Sequence, residues 1–385
     1  MDRNYTLLLC LSLAFLFSSC RKKQGETELP VSPYTTESFN AQAMRAIKCA
    51  DGTYAVAGRA NNGVALTRIT ETRQLIWTKV IPAGDMVFND FAETEDGGFL
   101  LVGEMPLPAV VVIGQPYQRV LAAKVDKHGG MEWVRMYGDS LLHSPQPIVT
   151  RTSDNNYMVL SRRAVPGWDG CVLTKIRSDG DTAWQRFIDK KAQAVSAGIL
   201  ETKDHNYLAA IRYTDGVTKS RLYKVTGQGD SLWSKQVDAG GDLVSMRGIT
   251  ETANGEIVAY GRTSGSRSIV AKLSANAEQL WRLSFGTDTV DELLTYLRED
   301  DRGGYIATGQ AGGQTSGFTK YSATLVSISQ EGELVWQRRY EEATSTFGIS
   351  VFPQRKGYYL FGGKSEQTGA RTFYVKYTNE EGGSQ

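Results

Sequence analysis

The chain is short of histidine, of paired cysteines and of net charge, and each shortage closes a class of function. Its histidines are three in 385 residues, His128, His143 and His205. They stand apart in turn-rich segments, so no spacing of ligands suggests a metal site. Four cysteines include no CxxC pair, and beyond the N-terminus only Cys49 and Cys171 remain, each alone in a strand-like run where cysteine serves as a small buried hydrophobe. Lys and Arg number 43 against 42 Asp and Glu, a formal charge of +1. That balance lacks the long-range positive field with which proteins hold nucleic acid, so no nucleic-acid partner is expected. Also missing are a GxSxG elbow before a helix, a Walker loop and a helical HExxH.

Present instead are 40 glycines and 18 tyrosines, in a chain that is 41% hydrophobic and 22% charged. Strand-prone runs alternate with turn residues throughout, which predicts an all-β protein with ample material for a core.

The first twenty residues, "MDRNYTLLLCLSLAFLFSSC", place Arg3 before an apolar run from Leu7 to Phe17 and then small residues. This is the pattern of an export signal. The ending "LFSSC" resembles a bacterial lipobox, which implies a signal over residues 1–19 and a lipidated Cys20 as the mature first residue. A plain secretory signal cut nearby is the other reading. Residues 20–30 are polar and without apolar periodicity, as a tether from membrane to domain would be. The expectation is an exported protein anchored by lipid in the outer membrane, with a single domain over residues 31–377 and a tail over 378–385.

A repeat organises that domain. One unit reads "FAETEDGGFLLVGE", an insertion, then "VLAAKVDKHGGMEWVRMYG": four short β-prone runs in which Asp96-Gly97-Gly98 and His128-Gly129-Gly130 supply hairpin turns. Seven such first hairpins are found, and seven third runs follow them, six with Lys or Arg at one matching place. Fourth runs occur six times and carry Trp77, Trp133, Trp184, Trp233, Trp281 and Trp336. Four strands per unit at about fifty-residue spacing predict a seven-bladed β-propeller, with an eight-bladed ring as the alternative. The missing last strand has a donor in residues 31–42, whose return to the final blade would close the ring. The tryptophans are expected to pack between sheets, and the cation two places after five of them to share their face and discourage edge pairing.

The phrase "KVDKHGGMEWVR" resembles the repeat of quinoprotein-type propellers, and residues 43–377 as a whole resemble the repeat propeller lipoproteins of Bacteroidota envelopes. The resemblance implies the fold and leaves activity open, since such propellers include dehydrogenases and scaffolds alike. Quinoprotein dehydrogenases use eight blades, calcium and an adjacent cysteine pair. This chain has neither that count nor that pair, so no cofactor is expected.

In a propeller the 2–3 and 4–1 connections share one face, and here they are the variable ones, which makes that face the working face. At the end of the second strand a cation recurs as Arg59, Arg162, Arg212, Arg262 and Lys364, with Glu104 and Gln310 at the exceptions. Such a ring offers an anionic or sugar-rich ligand its counter-charge, or else pairs with loop acids such as Asp139, Asp189, Asp238, Asp291 and Glu292. In the third repeat "PGWDG" brings Trp168 and Asp169 to the same face, a combination suited equally to stacking a sugar and to anchoring a buried loop. The insertion "MPLPAVVVIGQPYQ" covers the channel mouth, meets a partner or packs on its own blade. Arg45, Asp90 and Arg247, on first strands, are candidates for the channel itself. The reading is a monomeric, non-catalytic envelope module that binds protein or glycan. Its alternative is a carbohydrate-active enzyme with carboxylates at the central face.

Overall fold

The computed structural model describes residues 34–35 and 42–384, apart from 113–114, 143–145, 166–167, 190–193, 238–242, 244, 266, 288–289, 316–317, 342–344 and 366–370. Cys20 and the proposed signal and tether lie outside the described residues, as does His143.

Each hairpin is built on the turn residues seen in the repeat. In blade 2, Thr94 N donates to Gly98 O at 2.9 Å and Gly97 N to Thr94 O at 3.1 Å, which puts Gly97 at φ +75°. The 3–4 turn repeats the geometry, with Asp126 N bonded to Gly130 O at 2.8 Å and Gly129 at φ +75°. A left-handed residue is needed at this place, and glycine supplies it without a Cβ penalty. Asn155, His205 and Ala277 occupy it in other repeats, at φ between 58° and 60°.

Among the described residues the strands form seven four-stranded antiparallel sheets. The first six run in sequence order, from Gln42–Lys48 through Leu75–Ile81 in blade 1 to Asp291–Glu299 through Leu334–Tyr340 in blade 6. The seventh combines Ser345–Gln354, Gly357–Ser365 and Arg371–Thr378 with Tyr34–Thr35, which pairs with the last of these as Tyr34↔Val375 and Thr35↔Tyr374. The chain's two ends therefore meet in one blade, as the missing seventh fourth run required. First strands of successive blades are neighbours around the ring, and those of blades 1 and 7 close it. The fold is a seven-bladed β-propeller. Asn379–Gly383 form the 3–4 turn of blade 7, and Ser384 bridges Thr378, so that blade extends beyond residue 377.

Apolar residues of neighbouring sheets make the core between blades. Leu66, Phe88, Phe91, Phe99 and Leu101 pack between blades 1 and 2, and Leu208, Leu222, Met246, Ile257 and Ile269 between blades 4 and 5. The tryptophans complete these interfaces from the rim. A Cβ placed on Gly180 would lie 3.2 Å from the Trp133 ring, one on Gly229 2.8 Å from Trp184, and one on Gly332 2.5 Å from Trp281. Each ring thus rests on the left-handed glycine of the next blade's 3–4 turn. The stems of Arg135 and Arg186 press on Gly180 and Gly229 beside the rings, and those of Lys79 and Arg338 press on Gly129 and Gly382 beside Trp77 and Trp336, so the repeated cation clamps one blade to the next. Trp281 Nε1 also donates to Gln330 O at 3.0 Å.

The matching cations of the third strands turn inward to acids of the 1–2 turns. Arg68 pairs with Asp51 at 2.8 Å, Lys124 with Asp96 at 2.5 Å, Lys224 with Asp204 at 2.6 Å and Lys272 with Glu256 at 2.6 Å, and Lys175 pairs with Asp154. Blade 6 shows the converse: Arg302 stands at the acid's place and Ser327 at the cation's. Both partners change together there, which leaves no buried charge alone.

Candidate functional site

First strands line the axis, and six of the seven carry a β-bulge at one place. The register jumps between Ala43 and Arg45, Phe88 and Asp90, Ser196 and Gly198, Met246 and Gly248, Leu294 and Tyr296, and Gly348 and Ser350. The extra residues are Met44, Asn89, Ala197, Arg247, Thr295 and Ile349, and all of them line a central cavity of about 380 Å³. A bulge breaks the two-residue alternation, so it aims an additional side chain at the axis. The cavity lies within the usual range for small-molecule sites, roughly 300–1,000 Å³.

Arg45, Asp90 and Arg247 all line this cavity, with Arg298, Tyr260 and Tyr296. Asp90 is the single carboxylate among its described lining residues, and its oxygens are taken. Oδ1 accepts from Arg45 and from Phe91 N at 2.9 Å, and Oδ2 accepts Val149 N at 3.0 Å from blade 3. Asn89 Oδ1 is shut off from solvent with no hydrogen-bond partner. Gly248 admits Tyr260, since a Cβ there would overlap the Tyr260 hydroxyl.

Around the mouth, the five cations of the second strands make different contacts. Arg162 holds Asp169 with two hydrogen bonds, Nε to Oδ1 at 3.0 Å and Nη2 to Oδ2 at 2.8 Å. Arg59 Nε donates to Phe88 O of blade 2 at 2.9 Å, Arg262 pairs with Asp291 of blade 6 at 2.7 Å, and Arg212 Nη1 donates to Ser245 Oγ of blade 5 at 3.0 Å. Lys364 lies opposite Thr346 and Thr372 in blade 7. Of the loop acids expected as partners, Asp291 takes that role. Asp189 instead accepts the Tyr223 hydroxyl and Glu292 pairs with Arg339, while Asp238 and the side chain of Asp139 lie outside the described residues. Trp168 opens the third strand of blade 3 opposite Val165, its side chain outside the described set. The insertion of blade 2 continues that blade's strands as a hairpin, Phe99–Val112 with Gln115–Val125. Glu104, the acidic exception, is buried and accepts Gln146 N at 2.9 Å; burial raises its pKa against that bond.

Arg212, Arg247 and Arg262 converge between blades 4 and 5. Ser245, bonded by Arg212, is paired in register with Arg262, and Arg247 is the bulge residue two places along the same strand. Arg247 makes no hydrogen bond or ion pair among the described residues, and Arg212 meets the neutral hydroxyl of Ser245 alone. Burial lowers the pKa of both, and for Arg247 the proximity of Arg212 and Arg262 lowers it further, with Asp291 opposing.

At the opposite mouth an open hollow of about 480 Å³ holds Ser153, Glu201 and His205. The trio has the residue types of a nucleophilic triad, yet His205 Nδ1 faces both Ser153 Oγ at 3.1 Å and Glu201 Oε1 at 3.3 Å. A triad needs the two ring nitrogens on different partners. Glu201 instead accepts Ser153 N, as Glu93 accepts Ala50 N, Glu251 accepts Lys203 N and Glu299 accepts Ala253 N. These glutamates staple the 1–2 turns of blades 1, 3, 4 and 5 to the next blade. They recur at the end of first strands, and that recurrence was the sequence signal for them. The one grouping of metal-ligating side chains among the described residues is Cys49, Asp51 and Glu93. Its carboxylates hold Arg68 and Ala50 N, and burial pushes the Cys49 thiol up to about 12.

No protein-family model matches the chain, and no curated protein matches it. Among solved structures it is similar to a catalytically inactive form of virginiamycin B lyase from Staphylococcus aureus with quinupristin, 9% identical over 89% of this chain and 98% of that one, with a TM-score of 0.57. A protein from Lactobacillus plantarum is 12% identical over 89% of this chain and 98% of the other, with a TM-score of 0.54. A protein of unknown function from Bacteroides caccae is 14% identical over 72% and 90%, with a TM-score of 0.42. At these identities the likeness to the first two shows the fold alone.

Proposed function

We propose that this propeller is a non-catalytic binding module of a bacterial envelope, held to the membrane by a lipid on Cys20 and working through the 2–3 and 4–1 face and the cavity mouth behind it. Its partner is an envelope protein or glycan. The observation that carries the reading is the state of Asp90. Glycoside hydrolysis by paired carboxylates needs a second carboxyl group within roughly 5–9.5 Å and one of the two free to move a proton. The cavity offers Asp90 alone among its described lining residues, tied to Arg45 and two amides. What faces the ligand space instead is cationic and aromatic: Arg45, Arg247, Arg298, Tyr260 and Tyr296. Such a lining orients and holds a ligand.

The test is capture from crosslinked native envelopes by the lipidated protein and by a variant with Arg212, Arg247 and Arg262 replaced by alanine. The expected result is a partner or glycan recovered with the native form and lost with the variant. Recovery of the same material by both would overturn the assignment of the working face. Turnover of a glycan by the native protein that is lost with Asp90→Asn or with another carboxylate variant would overturn the non-catalytic reading.

A further inference from the structure

Three guanidinium groups in one small volume repel one another, and folded proteins neutralise such groups with acids or leave the charge for a ligand. Among the described residues between blades 4 and 5 the acids are too few for three cations. Asp291 serves Arg262 at 2.7 Å, Arg212 has only the Ser245 hydroxyl at 3.0 Å, and Arg247 has no polar partner among the described residues. The arrangement is built by strand geometry. Arg212 and Arg262 hold equivalent places on their second strands, opposite Val195 and Ser245 of the first, and the bulge between Met246 and Gly248 pushes Arg247 out of alternation into the cavity lining. Arg247 is exposed to water, so it keeps its charge. A side chain that repels its neighbours and contributes no polar contact to the fold has its use outside the fold.

Resting on the binding role proposed above, we infer that Arg247, Arg212 and Arg262 form an oxyanion site at the cavity mouth, taking a carboxylate or phosphate group of the ligand. Arg247 supplies the unpaired fork. Arg212 contributes the donors that Ser245 leaves free, and Arg262, held by Asp291, adds the third positive charge. Planar guanidinium groups match such oxygens with two parallel hydrogen bonds, which gives orientation as well as affinity. The adjoining cavity accommodates the body of the ligand, with Tyr260 and Tyr296 as flat surfaces for it.

Calorimetric titration of the purified full-length protein in detergent, at low salt, tests this with galacturonate, inorganic phosphate and neutral galactose. The expected result is binding of at least one of the two anions, none of galactose, and a loss of tenfold or more in affinity for Arg247→Gln and for Arg212→Gln. Lys356→Gln, which removes the same charge from an exposed turn on the opposite face, retains binding. Stronger binding of galacturonate assigns the site to an acidic sugar, and stronger binding of phosphate to a phosphorylated group. Thermal unfolding without ligand supplies a second readout: Arg247→Gln melts at the native temperature or above it, because repulsion is relieved. Absence of heat with both anions, equal affinity in Arg247→Gln, or equal binding of galactose would overturn the inference. If partner capture from envelopes then persisted in Arg247→Gln, the binding role would stand and the oxyanion site alone would fall.

Discussion

Gly248 is a residue whose reason lies in its neighbour's ring. A Cβ there would overlap the hydroxyl of Tyr260, which occupies the space beside the bulge and lines the cavity. Gly248→Ala should therefore displace Tyr260 and lower stability by roughly 1–3 kcal/mol, the usual cost of overpacking, as urea unfolding would measure. The turn acids make a second prediction at this scale. Burial acts to raise the pKa of Asp96, but hydrogen bonds from Lys124, Thr94 and Gly98 outweigh it and bring the value to about 2; Asp154 reaches about 2 through Lys175, Thr152 and Asn156. A carboxylate depressed in the folded state stabilises it above the unfolded pKa, and that contribution is lost as pH falls from about 4 through about 2. Asp96→Asn combined with Asp154→Asn should destabilise the protein at neutral pH and flatten the dependence on pH within that window. Both carboxylates are half exposed, so the effect is modest.

At the scale of the element, the tryptophan of one blade and the left-handed glycine of the next form a single unit. Trp281 meets Tyr305 edge-on at 5.7 Å, bonds Gln330 O and rests on Gly332, whose φ is +89°. Trp281→Ala should cost about 3 kcal/mol, and Gly332→Ala should destabilise as well, both read by denaturant midpoint at constant slope. The glycines, the tryptophans and the cations were legible in the sequence because hairpin chemistry and large aromatics leave compositional marks at fixed intervals. What the sequence hid was the partnership across blades: nothing in "MEWVRMYG" says that Trp133 and Arg135 straddle Gly180 about fifty residues on. The bulges were hidden for a different reason. An inserted residue such as Asn89 or Arg247 reverses the facing of the rest of its strand without any marker residue, so Arg247 could be named as a channel candidate while its separation from Asp90 in role could not be seen. The pairing of Arg162 with Asp169 was hidden too, because the two are seven residues apart across a 2–3 connection whose register only the folded hairpin sets.

For the whole molecule, closure depends on Tyr34–Thr35 reaching the last blade. A protein begun at residue 42 leaves the strand Arg371–Thr378 with an open edge and should melt at a lower temperature, with no change in far-ultraviolet strand signal beyond the missing residues; calorimetry would show it. An unchanged melting temperature would mean that the ring is closed by blade packing alone. The ring matters to function because it sets seven first strands around one axis and gathers bulges from six of them into one lining. A single blade could not bring Arg212 of blade 4, Arg247 of blade 5 and Asp291 of blade 6 together.

Hydrogen exchange of the full-length protein, alone and with material extracted from the envelope that it captures, tests the central claim most directly. The account predicts added protection at the starts of the first strands of blades 4 to 6, Val195–Glu201, Ser245–Glu251 and Asp291–Glu299, where the cavity mouth and its arginines lie. Protection confined to the outer strands or to the 1–2 turns, with these segments unchanged, would contradict it.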